Sequence, residues 1–371
     1  MILSTATGQG HNSAAGAIAK YLIKQNCEAT VMDVLKMGKT DVSSLASKAY
    51  AAVTVHAPWL FHFLYRVGEK VSTSGGRSPV FYANTLYADG LYSEICRINP
   101  DVIVCTHIFS AQAVTYIREK YAIKTPAVGV ATDYTCIPFW EESALDRYII
   151  PCKALAGEFA GKGIPAEKLV PLGIPVDARF QSKTPKRQAR EKFGLYAKHV
   201  FVVMSGSMGF GNIGRLANAL LAAVPDSQVA AVCGSNKRQA KALAGMTNII
   251  PFGYINDIDI LMDCADVVLT KPGGLSSTEA ISKRIPTVLT RPIPGCESQN
   301  AEYLDSIGAA VFAKSEKQAA EAALQLITDR SAAAEMLAAQ NKYIAKDADR
   351  KIGDYLIALA KSSKKGGLNG N

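Results

Sequence analysis

No apolar run in this 371-residue chain approaches the ~20 residues a membrane-spanning helix needs, and no signal-peptide pattern precedes the first strand. Eight cysteines are scattered without a single C-x-x-C pair, which argues against a structural zinc site and points to reduced, mostly buried thiols in a cytosolic protein. Zinc-finger, RRM and helix-turn-helix patterns are missing, so no nucleic-acid partner is expected. The net charge of +9 does not change that. Residues 1–180 hold 17 Lys/Arg against 15 Asp/Glu, and much of the excess sits in Lys183–Lys192 and in the tail from Lys361 to Lys365. Such a basic linker and tail are ordinarily solvated; an anionic membrane surface is the other partner they allow.

What is present is a strand–helix alternation, run twice. Met1–Thr5, Ala29–Asp33, Val102–Thr106, Ala127–Thr132 and Tyr148–Cys152 read as buried strands, with helices at Ser13–Gln25 and Ala111–Lys120. Val200–Met204, Val229–Cys233, Asn248–Pro251, Val267–Thr270, Thr287–Thr290 and Ala309–Phe312 form a second series. The expected fold class is α/β, two doubly wound parallel sheets. The Pro/Gly-rich stretch 163–177 marks the seam. It gives a domain over 1–178, a linker over 179–192, a second domain over 193–344, a helix near 345–360 that packs back on the first domain, and a disordered tail over 361–371. The abrupt opening on a short strand implies a few further residues upstream.

Ligands of open α/β sheets bind beyond the carboxyl ends of the strands, where helix N-termini present free N–H groups. Three loops fit that place. The first, Thr7-Gly-Gln-Gly-His11, puts His11 at the mouth of a cleft, where it suits a base; as a bland alternative it is a tight turn with Asn12 or Ser13 as cap. The second contains Gly209, Gly211 and Gly214, spelling G-x-G-x-x-G. However, the next strand ends Val232-Cys-Gly-Ser-Asn236 without the acidic residue that a dinucleotide-binding turn needs, so a dehydrogenase is disfavoured. The third, Lys271-Pro-Gly-Gly-Leu275, leads through Ser276, Ser277 and Thr278 into Glu279. Gly273 and Gly274 permit close backbone approach, the hydroxyls suit phosphate oxygens, and Glu279 in the first turn suits ribose hydroxyls. A later loop places Glu297, Gln299 and Asn300, groups that suit sugar hydroxyls. Asp257-Ile-Asp259 spells a D-x-D metal motif but opens a helix, where an N-cap Asp is expected; no metal and no other cofactor is expected.

Taken with Cys105-Thr-His107, Ala131-Thr-Asp133, Gly173-Ile-Pro-Val176 and Pro294-Gly295 through Asn300, these loops run in order over nearly the whole chain. In them the chain resembles the monogalactosyldiacylglycerol synthase and processive diacylglycerol glucosyltransferase family, and more distantly the bacterial lipid II-forming GlcNAc transferase. The resemblance implies a GT-B fold, two Rossmann-like domains facing across a cleft. It implies an inverting transfer of a hexose from a UDP-sugar to a diacylglycerol-type lipid, at the inner face of the cell membrane. On this chain the donor would meet Gly10, Asn12, Ser207, Met208, Lys271, Gly273, Gly274, Ser276 and Ser277. Tyr254 and Ile255 would lie at the uracil, Glu279 at the ribose, and Glu297, Gln299 and Asn300 at the sugar. His11 is the expected base, Asp133 a competing base or its orienter, and His107 a donor contact or simply a buried strand-end histidine.

In Pro58–Val67, Leu60, Leu64 and Val67 form one helical stripe. Trp59, Phe63 and Arg66 lie off it and suit a peripheral membrane contact, or a packed helix. Two departures bear on sugar and acceptor identity: Cys296 stands where relatives often carry Gln, and the residues after Asp133 lack the histidine of plant relatives. The alternatives are a UDP-GlcNAc-using transferase, an epimerase on the same scaffold, or a non-catalytic UDP-sugar sensor.

Overall fold

A computed structural model describes residues 1–5, 9–38, 76–206, 212–293 and 295–368. The chain divides into two compact units. One is Met1–Asp177 together with the segment from Asp347 onward; the other is Ala178–Lys346.

The first unit is built on a six-stranded sheet in the order β2-β1-β3-β4-β5-β6, all parallel. Its strands are β1 (Ile2–Ser4), β2 (Val31–Asp33), β3 (Ile103–Cys105), β4 (Ala127–Val130), β5 (Arg147–Ile150) and β6 (Leu169–Pro171). Strands covered on both faces carry near-continuous apolar runs, and β3 (Ile-Val-Cys) and β4 (Ala-Val-Gly-Val) are buried at every residue. The β6 strand lies within the stretch read above as a seam. Its proline is tolerated because β6 is an edge strand, where one side of the ladder needs no donor.

Against this sheet packs the helix Gln9–Lys24, whose Ala14, Ile18 and Leu22, four residues apart, form a buried stripe. Ile352 and Leu356 of the last helix, Ala348–Leu368, join the same core. Each such buried side chain contributes about 1.5–3 kcal/mol. The two helices meet at Gly353, where a Cβ would collide with the Tyr21 ring. Tyr21 donates to Asp354 across the same contact at 2.6 Å.

The second unit repeats the plan with the order β12-β11-β10-β7-β8-β9, again all parallel. Its strands are β7 (His199–Met204), β8 (Ser227–Val232), β9 (Ile249–Phe252), β10 (Val267–Thr270), β11 (Thr287–Thr290) and β12 (Val311–Ala313).

Three expectations are corrected. The basic linker is not merely solvated: Lys186–Phe193 is a helix, with Lys186 and Arg190 holding Asp266 at 2.8 and 2.7 Å and Lys192 holding Asp257 at 2.6 Å. The helix expected near 345–360 starts at Ala348 and runs to Leu368, and it is separated from the helix Arg330–Tyr343 where Asp347 takes the left-handed φ of 55°. No Gly or Pro announces that break. The tail is not disordered from 361, because the last helix runs to Leu368.

Candidate active site

Each sheet has one topological switch point, where successive connections leave in opposite directions: β1/β3 in the first unit and β7/β10 in the second. Both histidines and the Lys-Pro-Gly-Gly turn stand at these points.

In the first unit, β1 leads into the helix that carries His11, and β3 runs through Thr106 into His107, the N-cap of helix Ile108–Tyr121. The Nδ1 of His107 accepts the Phe109 N–H at 3.1 Å. This leaves the proton of neutral His107 on Nε2. His11 is fixed the other way. Its Nδ1 lies 3.0 Å from the Thr106 carbonyl and 3.0 Å from Thr132 Oγ1. A carbonyl only accepts, so the network assigns the proton to Nδ1 and leaves the Nε2 lone pair available. The two rings sit edge-to-face with centroids 4.4 Å apart.

Burial pushes His11 below its ordinary pKa, and the Asp133 charge partly opposes this. Burial and then His11 push His107 well below the ordinary range. Both imidazoles are therefore neutral near pH 7.

His11, Thr106, His107, Thr132, Asp133 and Trp140 line one narrow pocket. Glu158 braces the loop behind Asp133, accepting from Thr135 Oγ1 at 2.6 Å and the Cys136 N–H at 2.8 Å. Gly129 of β4 makes room for the Trp140 ring, which a Cβ there would meet at 2.8 Å. Asn12 Oδ1 accepts from Ser4 Oγ at 2.6 Å, tying the helix start, with Gly10, to the end of β1. Cys105 and Cys136 flank this region with thiols that burial pushes up to about 12, so neither is a nucleophile.

In the second unit, a pocket opens at the ends of β7, β10 and β11, lined by Met204, Ser205, Lys271, Thr290, Arg291 and Ile293. Lys271 Nζ pairs with Glu297 Oε1 at 2.6 Å, and Glu297 Oε2 accepts the Ile293 N–H at 2.9 Å. Gly273 is the N-cap of helix Gly274–Ser282, whose first residues follow the Lys-Pro-Gly-Gly turn.

Several expected roles shift here. Ser277 is fully buried, its hydroxyl without a partner among the described residues, so it does not face the pocket; Ser276 is half-buried. Glu279 lies in the second turn of its helix, not the first. Asn300 is fully buried and donates to the Pro272 carbonyl at 3.0 Å, holding the Lys-Pro-Gly-Gly turn. Gln299 is half-buried, one residue before it on the helix Cys296–Ser306. Tyr254, 74% exposed, and half-buried Ile255 follow edge strand β9. Asp257 is the N-cap of helix Ile258–Asp263, yet its carboxylate pairs with Lys192 instead of capping, and Asp259 lies 3.8 Å from Arg179. Ser207, Met208, Trp59, Phe63 and Arg66 lie outside the described residues. Thr106, Thr132, Trp140 and Arg291 were not singled out from sequence; a contacting backbone carbonyl leaves no mark in a sequence.

Residues 11–176 match the family model of monogalactosyldiacylglycerol (MGDG) synthase, and residues 186–347 that of glycosyl transferases group 1. A processive diacylglycerol beta-glucosyltransferase of Bacillus cereus is 27% identical over 326 residues, covering 86% of this chain and 82% of that protein. Over residues 11–176 the chain is thus similar to the monogalactosyldiacylglycerol synthase family, and over 186–347 to glycosyl transferases group 1. It is a glycosyltransferase.

Solved structures agree on the fold. MurG of Acinetobacter baumannii matches with a TM-score of 0.62 at 16% identity, over 96% of this chain and 99% of that one. Anabaena Alr3699/HepE, solved with UDP-glucose, matches with a TM-score of 0.57 at 15% identity, over 97% and 98%. A Listeria monocytogenes protein assigned as a UDP-N-acetylglucosamine 2-epimerase matches with a TM-score of 0.62 at 14% identity, over 98% and 96%. These likenesses establish the GT-B fold and nothing finer, since transferase and epimerase share it.

Proposed function

We propose that this glycosyltransferase moves a hexose from a UDP-sugar to a lipid acceptor of the diacylglycerol type, in one inverting displacement. The observation that carries the reading is His11: neutral, held by Nδ1 on the Thr106 carbonyl at a switch-point pocket, with no hydrogen-bond partner on Nε2 among the described residues. The names of the relatives supply the lipid class.

In this scheme His11 Nε2 takes the proton of the acceptor hydroxyl. The acceptor oxygen attacks the anomeric carbon from the face opposite the nucleotide, and the sugar–phosphate C–O bond breaks through an oxocarbenium-like state. Asp133 stabilises the imidazolium that forms, and neutral His107 offers its Nε2–H as a hydrogen-bond donor. UDP departs with negative charge on its diphosphate. Lys271 and the N–H groups opening helix Gly274–Ser282 meet that charge, without a metal. Tyr254 and Ile255 serve the uracil, Glu279 the ribose, and Glu297 with Gln299 the sugar.

No helix among the described residues is long and apolar enough to cross a membrane. A diacylglycerol acceptor lies in a bilayer, so we place the protein peripherally on the inner face of the cell membrane, with Trp59, Phe63 and Arg66 as contacts.

The test is UDP release from UDP-glucose, UDP-galactose and UDP-GlcNAc, each with and without diacylglycerol-containing vesicles. One donor should be turned over only when vesicles are present. Turnover indifferent to lipid, or isomerisation of a UDP-sugar in solution, would overturn the lipid reading.

A further inference from the structure

A mostly buried ion pair stands at the second switch point. Lys271 and Glu297 are mostly withdrawn from water, their side chains 20% and 9% exposed. The Lys271 stem lies across Gly206, directly after β7, where a Cβ would stand 2.7 Å from Lys271 Cε. Gly206 itself has a left-handed φ of 75°. The ammonium is thus stationed where strands β7 and β10 end and where the helix Gly274–Ser282 begins. A diphosphate arriving there competes for it with more charge than one carboxylate carries.

Glu297 cannot simply be abandoned, because an unpaired buried charge is costly. One of its oxygens keeps the Ile293 N–H. The other, Oε1, needs a new donor once Lys271 turns away. Gly273 leaves space on that side, since a Cβ there would come within 3.5 Å of Oε1. A hydroxyl of the transferred hexose can fill the need; UDP alone brings only its ribose hydroxyls, which the donor reading gives to Glu279.

We infer that Lys271 and Glu297 form an exchangeable pair that distinguishes a sugar-loaded nucleotide from spent UDP. With the whole donor bound, Lys271 goes to the diphosphate and Glu297 to sugar hydroxyls. After the sugar has left, Glu297 retakes Lys271 and the hold on UDP weakens, which favours product release. Glu297 is then a positioning residue for Lys271 as well as a sugar contact. This rests on the donor reading proposed above.

Calorimetric binding of UDP, UDP-glucose, UDP-galactose and uridine to wild type, Glu297→Gln, Lys271→Met and the double variant tests it. Glutamine keeps the size of the side chain and an acceptor for the Ile293 N–H; Glu297→Ala carries the same test if the glutamine variant fails to fold. Glu297→Gln should bind UDP tighter, by roughly three- to thirtyfold. The bound UDP-hexose should gain less, and uridine, which has no phosphate, nothing. In the Lys271→Met background the gain should vanish. Unchanged or weaker UDP binding by Glu297→Gln, or an equal gain for uridine, overturns the exchange. Wild type that binds neither UDP nor a UDP-hexose overturns the donor reading itself, a separate and recognisable failure.

Discussion

Replacing His11 with alanine is expected to lower the rate of glycosyl transfer by about 10²–10⁴-fold, the usual worth of a positioned general base. UDP binding should be unchanged, since the groups proposed for the nucleotide's uracil, ribose and diphosphate belong to the second unit. The pH profile gives the sharper signature. His11 must be neutral to accept a proton, and burial holds it below its ordinary pKa. Activity in the wild type should therefore persist down through pH ~6.5, the ordinary histidine value, and fall only below it. The variant's residual activity should lack that limb.

Stability follows with a definite sign. Because both His11 and His107 have lowered pKa values in the folded protein, the unfolded chain takes up protons first as the pH falls. Their contribution is complete above about pH 6.5 and is lost progressively below it. A His11→Ala protein retaining activity within a few-fold of wild type would transfer the role of base to Asp133.

The largest effect on stability is expected at Lys283, a residue remote from the chemistry. Its side chain is 1% exposed and that of Asp263 is 3% exposed. Lys283 Nζ donates to Asp263 Oδ2 at 2.7 Å and to the Ser182 carbonyl at 2.7 Å, while the same Oδ2 accepts the Thr184 N–H at 2.9 Å. Three segments of the second unit, the stretch Ser182–Thr184, the helix Ile258–Asp263 and the end of the helix Gly274–Ser282, meet in one buried charge pair. Lys283→Met leaves the Asp263 carboxylate buried with a single backbone donor in place of its counter-ion. Breaking such a pair typically costs about 3–5 kcal/mol.

For a unit of this size that corresponds to a drop of about 6–20 °C in the second unit's thermal midpoint. Replacing both partners, Lys283→Met with Asp263→Leu, should recover much of the loss, because the costly species is the single orphaned charge and not the missing pair. A single variant melting within a degree of wild type would show that water reaches Asp263.

The two sheets and the loops that carry the chemistry were legible because each leaves a local mark. Buried parallel strands write Val/Ile runs, and the turns at switch points write glycine followed by a helix start. Partnership leaves no such mark. Lys271 and Glu297 were both singled out, yet nothing in either segment says that they hold each other. His11 was legible as a candidate base, but the feature that makes it one, the Thr106 carbonyl on Nδ1, involves a backbone atom that every residue type carries.

The burial of Asn300 and Ser277 was illegible for a related reason. A polar residue in a glycine-rich loop and one whose side chain turns into the protein have the same letters, and only burial separates them. The charged segments 183–192 and 361–368 read as solvated or disordered from composition. Their helices are held instead by ion pairs, as with Arg190 on Asp266 and Lys364 on Asp101 at 2.9 Å.

The central claim is a single displacement onto a lipid, with His11 as base. The anomeric configuration of the isolated product tests it most directly, read as the proton coupling constant at the anomeric carbon after reaction of an α-linked UDP-hexose with diacylglycerol vesicles. The account predicts a β-linked glycolipid from wild type and almost none from His11→Ala. An α-linked product would contradict it, since retention requires two displacements or a different chemistry altogether.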